Sequence, residues 1–385
     1  MIRVVLVLSV VLALAGSSAA QIGKTVPVPA GSPEDKALSV IYAAPDGPDK
    51  VALLDKFMAD YGKGDFELLG DELYVQTYLA QKNYAKVYQY GEKALALDPL
   101  GLSVAAEVVH AADEQGDTAK LFTYGEKVSA IVKDYKASPP PAGTSPGEWA
   151  SEQAQVIQQA QSDITYVEYA LVTAAYKVPD PAARAVYLER YSAAFPDSSY
   201  LPTAREQIAI AYEQAQNKPK MLETAQSILN SDPNNIAILL MLADYWSDNA
   251  QQLDQAAADA QKALDLLAKA EKPANVSDQD WQQQVGVQKG IAYTSLGQVD
   301  AVKAKYALAV VQFKQASPLL KSNNFSYARN LYRLGFSLAK LNKTLDARIV
   351  LTECVSIDSP YKPLAQQTLT KIGGPVAKAG TRKTH

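Results

Sequence analysis

The chain has 385 residues, 20% charged and 48% hydrophobic, with a formal net charge of −4 at pH 7. That length can bury a large core without covalent staples, and the one cysteine, Cys354, cannot form an intramolecular disulfide. The mild acidity argues against nucleic acid as partner, since phosphates call for a basic surface. Two histidines, His110 and His385, leave Ser-His, Cys-His or zinc chemistry almost nothing to use.

Met1-Ile2-Arg3 gives a short positive start, and 4–15 is an apolar run too short to span a bilayer comfortably as a permanent anchor. Gly16-Ser17-Ser18-Ala19-Ala20 supplies small residues for cleavage after Ala20. Residues 1–20 are therefore expected to be an export signal, and the mature protein periplasmic or secreted. No cysteine lies near the cleavage site to carry a lipid, and no second transmembrane candidate follows. Loss of Arg3 leaves a formal charge of 36 − 41 = −5. Residues 21–33 hold Gly23, Pro27, Pro29 and Gly31 and read as a Pro/Gly-rich tether.

From about Pro33 the apolar residues follow a helical period, and alternation at period two is nearly absent. Tyr90-Gly91-Glu92-Lys93-Ala94 recurs as Tyr124-Gly125-Glu126-Lys127-Val128, and 124 − 90 = 34 residues. A fixed interval of this size marks a stacked array of helix hairpins. Pro99 closes the first hairpin, because proline has no amide hydrogen to continue a helix. Gly116 sits in the turn of the second hairpin.

The Pro-rich segment 138–147 interrupts the array, either as an exposed loop or as a hinge between two sub-arrays, and the loop is the reading preferred. A helical run over about 148–178 follows, longer than a repeat helix needs. The amphipathic segment at about 362–372 fits a capping helix, and 374–385 reads as a basic disordered tail. Cys354 falls at an apolar helix position and is expected to be buried and inert. Carboxylates such as Asp180, Glu189 and Asp197 read as solvated helix ends rather than as a catalytic pair. Three glycan-acceptor patterns, at Asn275, Asn324 and Asn342, are read as chance.

Tyr78, Tyr84, Ala94 and Pro99 have the spacing of the signature positions of tetratricopeptide (TPR) repeats. So do Gly290, Tyr293, Gly297, Tyr306 and Ala309, and also Leu331, Leu334-Gly335, Leu338, Ala347 and Pro360. Ala209, Tyr212 and Pro233 mark a further repeat, as do Leu242-Ala243, Trp246 and Ala263. The mature chain thus resembles a TPR protein. The resemblance implies an all-α, right-handed superhelical solenoid of about seven to eight hairpins over 34–373. Tyr187-Leu188-Glu189-Arg190-Tyr191 followed by Phe195-Pro196-Asp197-Ser198 is similar to the turns of exported bacterial TPR proteins, the envelope coordinators and assembly factors. Leu54-Asp55-Lys56-Phe57 before Tyr61 is similar in the same way.

In that family the first helix of each hairpin lines a groove. Carried onto this chain, the resemblance implies a groove of Glu72, Gln76, His110, Asp113, Glu114, Glu206, Glu213, Asp244 and Asp248, polar and mostly acidic. It continues into apolar Val287, Ile291, Tyr332 and Phe336, which could equally be core. The family's clamp for acidic C-terminal peptides needs lysine and asparagine where this chain has Glu72 and Gln76, or Tyr332 and Phe336, so that activity does not carry over. The expected function is a non-catalytic scaffold or adaptor, without cofactor, metal or nucleic acid. It would bind a basic or mixed protein or peptide segment in cell-envelope assembly or maintenance. The alternative is a soluble envelope binding protein for a glycan or other small ligand.

Overall fold

A computed structural model describes residues 21–374, and every regular element among them is an α-helix. The export signal expected at 1–20, and the tail beyond its first residue, lie outside the described residues. The chain divides at Gln216/Asn217 into two compact units.

Unit 1 contains α1 (Pro33–Ala43), α2 (Pro48–Tyr61), α3 (Asp65–Ala80), α4 (Tyr84–Leu97), α5 (Leu102–Gln115) and α6 (Thr118–Ala137). It continues through α7 (Pro146–Gln159), α8 (Gln161–Lys177), α9 (Pro181–Ala194) and α10 (Leu201–Gln214). Unit 2 contains α11 (Lys218–Ser231), α12 (Ile236–Asp248), α13 (Leu253–Lys269), α14 (Asp278–Val302), α15 (Tyr306–Leu319), α16 (Asn324–Lys340), α17 (Thr344–Val355) and α18 (Lys362–Lys371). Within each unit, consecutive helices pack as hairpins and each hairpin stacks on the next. This is the all-α helical-repeat solenoid.

The repeat is visible in the turns. Lys82, Gly116, Ala304 and Asn342 all adopt left-handed φ, between 57° and 67°. In each case the next amide bonds back five residues: Asn83 N to Tyr78 O, Asp117 N to Ala112 O, Lys305 N to Asp300 O, Lys343 N to Leu338 O. This C-terminal cap satisfies carbonyls the helix cannot, and turns the chain into the next helix. Lys82 and Gly116 are 116 − 82 = 34 residues apart, the same interval as the Tyr-Gly-Glu-Lys echo.

The echo lies in α4 and α6, the second helices of their hairpins. A Cβ on Gly91 would lie 2.5 Å from Val108 Cγ2, and one on Gly125 would lie 2.4 Å from Leu171 Cδ1. Both glycines therefore allow the following hairpin to seat against theirs. The glutamates of the echo clasp forward along the array. Glu92 accepts from Tyr124 Oη at 3.0 Å, and Glu126 accepts a forked pair from Arg190 at 2.7 and 3.0 Å. At the turn after α9, buried Tyr191 bonds Ser198 Oγ at 2.6 Å, and Phe195 packs on Tyr191.

Two expectations change. The 21–33 segment is not a free tether at its start. Ile22 is buried, and Asp98 accepts from the Lys24 amide at 2.7 Å, because Gly23 (φ 115°) lets the chain lie on the α4–α5 corner. The helical run over 148–178 is two helices, parted at Ala160, and the first of them starts inside the 138–147 segment with a Ser145–Glu148 capping box. That segment lies within unit 1, pinned by Trp149 Nε1 donating to Ser138 O and Gln153 Nε2 donating to Tyr135 O. The division between units falls after Gln216.

At the far end α18 packs on α16 and α17, burying Ala365 and Leu369. Cys354 is fully buried beneath it. Its thiol donates to Ala328 O, and burial pushes its pKa up to about 11, so it is an inert core group.

Candidate functional site

In unit 1 the first helices of three successive hairpins, α3, α5 and α8, bring their polar side chains together. Gln76 on α3 hydrogen-bonds Glu107 on α5, while Glu107 Oε2 is buried without a partner. Burial pushes the Glu107 carboxyl up to about 8, and the charges of Glu72 and Asp163 add to this. Burial likewise pushes Glu72 up to about 7, helped by Asp98. His110 stacks on Tyr166 of α8 with ring centroids 3.7 Å apart, and Tyr166 Oη donates to Asp113 at 2.8 Å. Burial lowers the His110 pKa against the pull of Asp163, Asp113 and Glu114. Glu114 accepts from Tyr84 Oη at 2.6 Å and faces Lys82 at 3.7 Å.

The expected residues Glu72, Gln76, His110, Asp113 and Glu114 thus form one wall. Glu107 and Asp163 belong to it and were not anticipated. Glu107 lies one helical turn before the anticipated His110, and that spacing was the available signal; Asp163 lies one turn before Tyr166, which was itself not anticipated, and had no such signal. Glu72, Glu107 and Asp163 have no ion-pair partner among the described residues. Ile22 and Gln21 close the edge of the wall beside Asp98, leaving a cavity of about 120 Å³ lined also by Glu72, Gln76 and Glu107. Glu206 and Glu213 lie on α10, with Glu206 half-buried and Glu213 exposed; burial raises the Tyr176 pKa and the charge of Glu206 adds to the shift.

Unit 2 corrects the expectation of an acidic face. Asp244 and Asp248 on α12 do not present free charge. Arg329 on α16 donates to Asp244 Oδ2 at 2.5 Å and lies 3.8 Å from Asp248, and Arg333 donates to Asp248 Oδ1. The arginines pass α14 to reach α12, past the small buried residue Ser295, whose hydroxyl lies 3.4 Å from Asp244 Oδ1. Arg329 is 8% exposed at its side chain, so desolvation makes this pairing obligatory. Burial raises the Asp248 pKa, and the two arginines oppose the shift.

Of the four apolar groove candidates, Val287 and Ile291 pack against the core. Tyr332 and Phe336 line a cavity of about 450 Å³ with Tyr361, Arg333, Ser337 and Asp248. Tyr332 stacks on Tyr361 with centroids 6.1 Å apart, and Phe336 is 38% exposed beneath Lys340.

Two of the three carboxylates weighed for catalysis have structural partners, and the third, Asp197, is exposed. Asp180 caps α9 by accepting from Ala183 N, and Glu189, within that helix rather than at its end, accepts from Tyr212 Oη at 2.6 Å. Among the described residues no group of three or more His, Cys, Asp or Glu could hold a metal ion, and no helix is long and apolar enough to cross a membrane.

No protein-family model matches the chain, and no curated protein matches it. Among solved structures it is similar to NprR in complex with its cognate peptide NprX, at 14% identity and a TM-score of 0.38, over 79% of this chain and 83% of that one. It is also similar to yeast Tom70, at 12% identity and a TM-score of 0.39, over 91% of this chain and 66% of that one. A third is the TPR domain of P58(IPK), at 11% identity and a TM-score of 0.31, over 89% and 98%.

Proposed function

We propose that the protein is a non-catalytic, exported scaffold that binds extended protein segments, with a role in cell-envelope assembly or maintenance. The observation that carries the binding reading is the wall of unit 1. The first helices of three successive hairpins converge Glu72, Glu107, Asp113 and Asp163 on one face, and burial raises the first two to about 7 and about 8, with neighbouring carboxylates adding to the shift. A face built this way gains most from a ligand that supplies lysine or arginine. Bound cations would return both carboxyls to their charged form, so binding and deprotonation are linked. The export reading rests on the 1–20 segment, and the envelope setting on the turns around Tyr191 and Phe57.

Fluorescence anisotropy with a labelled lysine-rich peptide, beside its glutamate-rich counterpart, tests this. The basic peptide should bind, more tightly at pH 8 than at pH 6 and more weakly as salt rises. Glu72→Lys with Asp113→Lys should abolish the preference. Equal binding of both peptides, or binding unchanged in the double variant, would remove the acidic-wall reading.

A further inference from the structure

The cavity of unit 2 has a chemistry opposite to that of the unit 1 wall. Arg333 and Ser337 lie four residues apart on α16, hence on one face and one turn apart. Each lines the cavity, and each carries a buried polar atom with no partner: Nη1 of Arg333 and Oγ of Ser337. Asp248 occupies only the other arm of the Arg333 guanidinium, Nη2. An unsatisfied buried donor has given up water without gaining a partner, which costs the fold stability. Two such donors together, at the edge of an open cavity, mark a place built for an acceptor.

Charge and shape say which acceptor. Arg329, Arg333 and Lys340 stand against Asp244 and Asp248, so the surroundings carry one positive charge in excess. Tyr332, Phe336 and Tyr361 form the rest of the wall. The volume is of small-ligand size and too small to take a helix, which is about 10 Å across.

We propose that this cavity binds a carboxylate borne on an apolar or aromatic group. One carboxylate oxygen accepts from Arg333 Nη1 and the other from Ser337 Oγ, while the apolar part packs between Phe336 and Tyr361. Phe336, the exposed member, swings to admit it. The family's carboxylate clamp needs lysine and asparagine at the positions that here hold Tyr332 and Phe336; in this site those two supply only apolar wall, and Arg333 and Ser337 hold the acid. It stands independently of the basic-segment reading for unit 1.

Two probes share this chemistry: 3-phenylpropionate, and a labelled tetrapeptide ending in phenylalanine with a free C-terminus. Each is titrated beside its amide, with N-acetylglucosamine as a neutral comparison. Each acid that enters should bind at least tenfold more tightly than its amide. Binding by the peptide alone would identify the source as a chain terminus, and binding by both would show that the acid group and ring suffice. Arg333→Met should lose binding, but it also strips Asp248 of its partner. Ser337→Ala therefore decides. It removes an unpaired hydroxyl, so the free protein should melt no lower than wild type, while acid binding falls at least fivefold. Equal affinity for acid and amide, stronger binding of the neutral sugar, no binding of either acid, or acid binding indifferent to Ser337→Ala would each overturn the proposal.

Discussion

The two units use the same hairpins to make opposite faces. In unit 1 the first helices present Glu72, Glu107, Asp113 and Asp163, and the nearest partners are neutral: Gln76 on Glu107 and Tyr166 on Asp113. In unit 2 the equivalent helices also present carboxylates, Asp244 and Asp248, but two arginines from α16 reach past α14 to neutralise them. One face keeps its charge unmet and holds protons to do so. The other spends its charge internally and leaves one guanidinium arm over. A helical repeat fixes where groove residues lie, and long-range neutralisation decides what they can bind.

The largest effect should come from making unit 2 resemble unit 1. Arg329→Met leaves Asp244 and Asp248 buried beside Arg333 alone, a loss of about 3–5 kcal/mol by analogy with broken buried pairs. Urea unfolding followed by circular dichroism measures it. Adding Asp244→Leu should recover most of the loss, because the carboxylate that Arg329 served is then gone. If Arg329→Met alone is nearly neutral, the network is solvated and the contrast between the units fails.

A smaller effect separates the two units at their helix seams. A Cβ on Gly297 would lie 2.6 Å from the buried ring of Phe313, whereas one on Gly91 would meet a single methyl of Val108. A ring has no free end to move aside. Gly297→Ala should therefore cost about 1–3 kcal/mol as an overpacking change, with Gly91→Ala clearly milder. Thermal melts of both variants check the order.

The pH response tests unit 1 directly. In the folded protein Glu72 and Glu107 titrate near about 7 and about 8, against an ordinary value of 4.5. Between those limits the folded state holds protons that the unfolded chain has released. Stability is therefore fully present below about pH 4.5 and is lost as pH rises through the folded values. Glu107→Gln should remove its share of this slope, about 3 kcal/mol between pH 5 and 8. Urea midpoints at those two pH values read it. A variant with the wild-type slope would show that Glu107 is hydrated and charged.

The architecture was legible because helix period and the 34-residue echo are local signals. Gly91 and Gly125 declared close packing through their missing side chains, and the groove register on α3 and α5 followed from them. Three things were hidden, each for a physical reason. The left-handed turn residues Lys82 and Ala304 carry nothing in their identity that marks them, whereas Gly116, and more weakly Asn342, do. The Asp244–Arg329 pair spans 85 residues, and no periodicity connects a helix to the one two hairpins on. The seat of Ile22 depends on Asp98 capturing the Lys24 amide, a contact between a segment that reads as a tether and a corner that reads as a turn.

The smallest effect concerns the clasp between hairpins of unit 1. Arg190 forks onto Glu126 while its guanidinium lies 5.1 Å from the Phe122 ring centroid and 5.4 Å from that of Tyr187. The pair is about one-third exposed on both sides, so water screens most of its charge attraction. What remains specific is geometry. A planar fork can serve two carboxylate oxygens and two ring faces together, whereas a lysine ammonium can serve one at a time. Arg190→Lys should therefore cost about 0.5–1 kcal/mol despite keeping the charge. Raising salt should shrink only a minor part of that difference, because stacking and the fork outlast screening. A loss that vanishes at high salt would make Arg190 a plain surface charge. Glu126, in the second copy of the echo, would then hold its neighbour no more firmly than Glu92 holds Tyr124 in the first.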